Sequence, residues 1–269
     1  MTRYYEEVEN NILFISLIHF VYPYLNKFYN VTINNDSIKK IKMRENKKGC
    51  MYIARHSTHN LELMLILIKF YLLSKKPLRG IGHRLVFYFY PILYILGVEI
   101  GNMKTVYDLL SHGENICIMP GGREEMTFGN ENVHKCFWNS SSNKFRKGFA
   151  EAAYACNVPI IPIKLKNIEN MCFAPITFIF NKVGFTKKYD ELMNWYYSNY
   201  CLTQKNNFYL ELYKILFHLK VLFSIIFSVI LIIPIPTNLE IIIGEELIKN
   251  EDESFENFSL RCKNELEKL

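Results

Sequence analysis

Cys50-Met51-Tyr52-Ile53-Ala54-Arg55-His56-Ser57-Thr58-His59-Asn60-Leu61-Glu62 is the stretch on which the fold turns. Its first six residues are a short β-type run, Cys50 to Arg55, and a long apolar helix begins near Leu61. A strand that ends by delivering an imidazole, followed by a helix whose first turn carries a carboxylate, can hold His56 and Glu62 against each other. Such a pair is a base and its orienter. The imidazole takes a proton from a hydroxyl as the hydroxyl attacks a carbonyl, while the carboxylate sets the tautomer and steadies the imidazolium. The chemistry suggested is acyl transfer. The plainer reading makes His56 and His59 loop histidines that cap a buried helix.

Working outward, Gly49 to Leu165 alternates β-rich runs with helical ones. Leu61 to Ser74 is a helix apolar on nearly every side, with Glu62 and Lys69 seven apart and so on one face. A strand follows near Leu78 to Gly82, then a short helix entered by Pro91, a strand at Val98 to Ile100, and a helix over Met103 to His112 closed by Gly113. Asn115 to Met119 is a strand running into Pro120-Gly121-Gly122-Arg123-Glu124-Glu125. A small-residue helix, Phe145 to Cys156, and a strand, Val158 to Leu165, complete the series. This pattern predicts an α/β fold with a mostly parallel or mixed central sheet flanked by helices, and ligands at the carboxyl ends of its strands.

That rule joins the two turns, since His56 and Pro120-Gly121-Gly122 each follow a predicted strand and would face one crevice. Paired glycines let backbone approach a ligand and can aim amide donors at it. Arg123 and the two glutamates add polar groups for an acceptor or a developing oxyanion. An ordinary β-turn before a charged helix start is the alternative.

Several blocks in this order resemble the glycerolipid acyltransferase superfamily, and within it most nearly the transmembrane protein 68 group. They are the His and acid separated by five residues, Pro120-Gly121-Gly122 followed by acidic residues, and Val158-Pro159-Ile160-Ile161-Pro162. Gly82 to Phe87 and Arg146-Lys147-Gly148-Phe149-Ala150 are lesser matches, and the resemblance covers about residues 50 to 170, with a weaker match at Pro234 to Leu247. It implies a membrane-bound enzyme of the endoplasmic reticulum that moves an acyl group from acyl-CoA, a co-substrate, to a glycerolipid hydroxyl with no bound cofactor. Carried over, His56 is the base, Glu62 its orienting acid, and Pro120, Gly121, Gly122, Arg123 and Glu125 border the acceptor. The family acid is usually Asp. In phosphate-using members the third block reads Pro-Glu-Gly-Thr-Arg, whereas here Gly121 replaces that Glu and Glu124 stands at the Arg position. A carboxylate there disfavours a phosphate, which points to mono- or diacylglycerol and to triacylglycerol synthesis. A lysophosphatidic acid or other lysophospholipid acceptor is the alternative, and a catalytically inactive lipid-binding membrane protein is the alternative of another class. A hydrolase would need a nucleophile, and no G-x-S-x-G elbow is present.

Composition agrees with a folded chain that touches a membrane: half of its 269 residues are apolar, 22% are charged, and the formal charge is +6. Charge alone suits an anionic bilayer, acyl-CoA or nucleic acid, but no basic recognition helix or zinc-finger spacing supports nucleic acid. Seven cysteines without a C-x-x-C pair read as reduced thiols, hence a cytosolic face for most of the chain. His56-x-x-His59 lacks the further ligands a metal site needs.

Residues 1–48 read as a membrane anchor and basic linker ahead of an acyltransferase domain over 49–269. Ile12 to Leu25 is apolar but shorter than the ~20 residues of a spanning helix, so an interfacial or re-entrant anchor is expected. Lys39 to Lys48 is either a headgroup contact or a solvated linker. An aromatic insertion is expected at about 170–214, as an interfacial segment or a loose loop. After it, an apolar stretch at about 215–233 is expected to lie in the membrane as a monotopic or re-entrant helix. A strand at Glu240 to Ile243 and an amphipathic helix over Ser254 to Leu269 close the chain.

Overall fold

A computed structural model describes residues 8, 11–44, 49–57, 61–82, 91–122, 125, 136, 146–173, 175–201, 208–216, 219 and 233–269. Seven strands form the central sheet in the order β1-β9-β6-β2-β5-β3-β4. They are β1 (Thr32–Ile33), β2 (Met51–Ala54), β3 (Arg79–Gly82), β4 (Glu99–Ile100), β5 (Ile116–Ile118), β6 (Ile160–Lys166) and β9 (Glu240–Ile243). Neighbours run parallel except β6 and β9, so β1 and β9 oppose the rest. The expected α/β architecture with a mostly parallel sheet is therefore the one observed.

Strand β2 lies in the middle of the sheet, and all four of its residues are buried. Its alternation sorts them, Cys50, Tyr52 and Ala54 into the core on one face and Met51 and Ile53 into the core on the other. Two layers of helices close those cores. The first is α1 (12–29, with a π-helical turn at Leu17–Val21), α2 (Asn35–Lys42) and α3 (Leu61–Ser74), and α4 (Pro91–Ile95) lies on the same side. α3 sits directly on β2, with Tyr52 and Phe70 rings edge to face at 4.9 Å. The second layer is α5 (Met103–Ser111), α6 (Gly148–Ala155) and α9 (Phe255–Lys268). In α6, Ala150, Ala152 and Ala153 are fully buried, so the helix approaches its neighbours closely.

Ahead of residue 49 the chain adds a short strand to the sheet. Thr32 and Ile33 pair with Glu240 and Ile241, and α2 buries Ser37 and Ile41 while Lys40 donates to Ile243 O at 3.1 Å. Asn34 caps α2, accepting from Ser37 N–H at 2.8 Å. Lys69 of α3 adds a tie that the heptad spacing does not reveal, donating to Val31 O at 2.8 Å. α1 docks on this core: Phe14, Leu17, Ile18, Tyr22 and Tyr29 are buried, and Phe14 meets Tyr71 of α3 at 4.8 Å. Its other face is open, with Ile12 75%, Phe20 71% and Tyr24 77% exposed.

The described residues of the expected insertion are mostly helical. β7 (Cys172–Phe173) pairs with β8 (Ile233–Pro234), and between them lie α7 (Pro175–Lys182) and α8 (Phe185–Tyr196), the latter continuing as a π-turn through Cys201. Tyr196 and Tyr200 stack at 5.2 Å, and Tyr209 joins them from the helical stretch 208–216. No helix among the described residues is long and apolar enough to cross a membrane. Most of the apolar stretch at 215–233 lies outside the described residues. Cys50, Cys117, Cys136, Cys156, Cys172 and Cys262 are free thiols.

Candidate active site

β2 ends at Ala54, and two residues later His56 Nδ1 lies 3.3 Å from Oε1 of Glu62 in the first turn of α3. Glu62 is fully buried, whereas the His56 side chain is 14% exposed. Burial would raise the Glu62 carboxyl. The hydrogen bond and charge of His56, with two hydrogen bonds from Ser57, outweigh it and hold the group below the usual carboxylate range. An ionised carboxylate only accepts, so the proton between them belongs on Nδ1 and Nε2 keeps its lone pair.

Ser57 fixes the carboxylate from its other side. Its N–H donates to Oε1 at 2.8 Å and its Oγ–H to Oε2 at 2.5 Å. Both bonds close within five residues, which is how the turn between β2 and α3 sets the angle of Glu62. The longer glutamate arm is thus tied at both oxygens. Ser57 was not singled out from the sequence. A hydroxyl beside the His of a His-x5-acid block was the available signal.

The two turns do meet. His56 N–H donates to Glu125 Oε2 at 2.8 Å across 69 residues of chain, and Glu125 is buried. Glu125, expected to border the acceptor, accepts from the backbone of the His56 turn. Gly121 makes room for it: a Cβ on Gly121 would fall 1.9 Å from Glu125 Cδ. Gly122 has φ +50° and a Cβ there would meet Arg146 Nη1 at 2.7 Å, while that same Nη1 donates to Pro120 O at 2.6 Å. The glycines therefore admit side chains of the protein itself. Gly122 N–H, a candidate donor to an oxyanion, donates to Met119 O at 3.0 Å. His59, Arg123 and Glu124 lie outside the described residues.

His56 and Glu62 open on a cavity of about 250 Å³. It sits at the carboxyl ends of β2 and β6, the place a parallel sheet offers a ligand. Arg55, Lys164, Ile163, Ile168 and Leu266 also line it. The arrangement can take a proton at Nε2 beside a cavity of partly apolar walls.

Comparison with known families matches residues 31–166, half of the chain, to the family described as Acyltransferase. The "DGAT1/2-independent enzyme synthesizing storage lipids" of Gallus gallus is 35% identical over 75 residues. That match takes in 28% of this chain and 21% of the relative, so it spans about a fifth of the relative's length. No solved structure matches the chain.

Proposed function

The chain belongs to the acyltransferase family, and from that premise we propose that it moves a fatty acyl group from acyl-CoA to a glycerolipid hydroxyl. The observation that carries this reading is the contact of His56 Nδ1 with the buried Glu62 carboxylate, beside a cavity at the end of β2. His56 Nε2 takes the acceptor's hydroxyl proton as its oxygen attacks the thioester carbon. The carbon–sulfur bond breaks, and the coenzyme A thiolate leaves with the proton returned by the imidazolium. Glu62 stabilises the transient positive charge, and its own oxygens stay anchored by Ser57. No covalent enzyme intermediate is required.

The acceptor we infer is neutral, a mono- or diacylglycerol, which makes the product a storage lipid. Two observations support it: Glu124 stands at the position where phosphate-using relatives carry Arg, and the Gallus gallus relative is named for synthesising storage lipids. The exposed apolar face of α1, with Ile12, Phe20 and Tyr24, supports seating on a bilayer, and we propose the cytosolic face of the endoplasmic reticulum. The free thiols are compatible with that compartment.

The test is transfer of label from oleoyl-CoA by membranes carrying the chain, with monoacylglycerol, diacylglycerol and lysophosphatidic acid offered separately. Label in diacylglycerol or triacylglycerol is expected. Label confined to phosphatidic acid contradicts the neutral acceptor, and label in no lipid contradicts acyl transfer.

A further inference from the structure

Attack of a hydroxyl on a thioester carbon pushes the carbonyl π pair onto oxygen, and an oxyanion stands there until the carbon–sulfur bond breaks. Donors already aimed at that oxygen lower the barrier substantially. The backbone amides of the turns around His56 are occupied. His56 N–H donates to Glu125 Oε2 and Ser57 N–H to Glu62 Oε1, each at 2.8 Å, and Gly122 N–H donates to Met119 O at 3.0 Å. Side-chain donors of the site are engaged as well, Ser57 Oγ–H by Glu62 Oε2 and Arg146 Nη1 by Pro120 O.

Arg55 differs from all of these. Neighbours in an extended chain point to opposite faces, yet Arg55 and His56 line one cavity, because β2 stops at Ala54 and the chain has left the sheet. Their Cα atoms are about 3.8 Å apart, so a guanidinium can lie over a carbonyl whose carbon is attacked beside the imidazole. Arg55 Nε is buried with no hydrogen-bond partner, and among the described residues no hydrogen bond or ion pair takes its terminal nitrogens. A desolvated donor left unmatched costs stability, and an oxygen that gains charge during the reaction would match it. Burial pulls the Arg55 pKa down, and the charges of Glu125, Cys136, Glu62 and Glu169 oppose that effect. Lys164 lines the same cavity, but it is carried by β6 rather than placed next to the base.

We propose that Arg55 is the oxyanion donor of the site: its terminal N–H groups hydrogen-bond the thioester oxygen while the acceptor hydroxyl, giving its proton to His56 Nε2, bonds to the thioester carbon. The electron pair of the O–H bond enters the new carbon–oxygen bond, and the π pair rests on the oxygen held by Arg55. When that pair returns, the carbon–sulfur pair leaves on coenzyme A, whose sulfur takes the proton from the imidazolium. A cation fixed in place needs no reorganisation as the charge develops, and the partly apolar walls strengthen its effect. A cation beside the base of a site with a neutral acceptor thereby has a use, because the negative charge that arises there belongs to the reacting carbonyl. The assignment rests on the acyl transfer proposed above.

The experiment compares the full parent chain with Arg55→Ala, Arg55→Gln and Lys164→Gln, by calorimetric titration and by oleoyl transfer. Two unreactive probes are titrated: a thioether analogue of oleoyl-CoA, which has no carbonyl, and a difluoroketone analogue, whose hydrate puts an oxygen where the oxyanion forms. The parent is expected to prefer the difluoroketone. Arg55→Ala should lose that preference, keep its affinity for the thioether, and show kcat lowered by roughly 10²- to 10³-fold, the scale of one oxyanion donor. Arg55→Gln keeps most of the stem without the cation and serves if the alanine variant does not fold. Preference and kcat that survive in a folded Arg55 variant overturn the assignment. Equal loss of affinity for both probes makes Arg55 a coenzyme A contact and overturns it too, as does a loss found in Lys164→Gln instead. A parent that binds neither probe and labels no lipid removes acyl transfer and the oxyanion donor together, whereas a parent that labels lipid beside unimpaired Arg55 variants removes the donor alone.

Discussion

Each residue around His56 has a separable task, and substitutions should separate them. Glu62 has its carboxyl depressed in the folded chain, so its stabilising contribution is present above the unfolded value, about 4.3, and is lost as pH falls through the lower folded value. The stability gap between the parent and Glu62→Gln should therefore be full at pH 7 and shrink below about pH 4. Urea unfolding at neutral and acid pH reads this directly, and a gap that ignores pH would contradict the ionised assignment. Gly121→Ala tests the link between the two turns. Its Cβ would displace Glu125, 1.9 Å away, from the His56 amide. The expected cost is about 1–3 kcal/mol of strain, with a fall in kcat beyond what the loss of folded protein explains. Full kcat in folded Gly121→Ala would make Glu125 a structural acid only.

At the scale of elements, the far half of the sheet depends on one cation. Arg79 in β3 is fully buried and donates to Glu114 Oε2 at 2.8 Å, Glu99 Oε1 at 2.7 Å and Gly97 O at 2.9 Å. It ties β3, β4 and the turn before β5 together. Arg79→Ala would take the shared cation away from two buried carboxylates and should cost about 3–5 kcal/mol in urea unfolding, whereas a loss below about 1 kcal/mol would show that the carboxylates do not depend on Arg79. This network was invisible in the sequence because its members lie 20 and 35 residues apart along the chain. What was legible had short range. Leu61–Ser74 is apolar on nearly every side and bounded by a turn signal, and it is a helix over those bounds. Met51–Ala54 is too short and apolar to be anything but an inner strand. β1, with two residues and no periodicity, pairs with a strand far along the chain, Thr32 with Glu240, and so leaves no local signal. At the site, the His56–Glu62 spacing was readable as a pair because both groups belong to one local turn. The reach of Glu125 back to the His56 amide was not, since only the fold brings the two segments together.

As a whole, the molecule has a closed side and an open one. α1 seals the core with Phe14, Ile18 and Tyr22 while showing Ile12, Phe20 and Tyr24 to the surroundings, and α8 shows Leu192 and Trp195. Exposed apolar residues concentrated on one helix face mark a contact surface. Replacing Ile12 and Phe20 with Ser should reduce co-flotation with vesicles severalfold without loss of folding, because neither side chain is buried. Unchanged flotation would contradict seating on a bilayer through this face. The central claim is narrower: acyl transfer with His56 as its base and Glu62 as the group that orients it. Its most direct measurement is the rate of oleoyl transfer from oleoyl-CoA by His56→Ala and Glu62→Gln proteins of parental stability. Removal of the base should lower kcat by about 10²- to 10⁴-fold, and Glu62→Gln should lower kcat with KM for oleoyl-CoA little changed. A His56→Ala protein that transfers oleate at the parental rate would contradict the account.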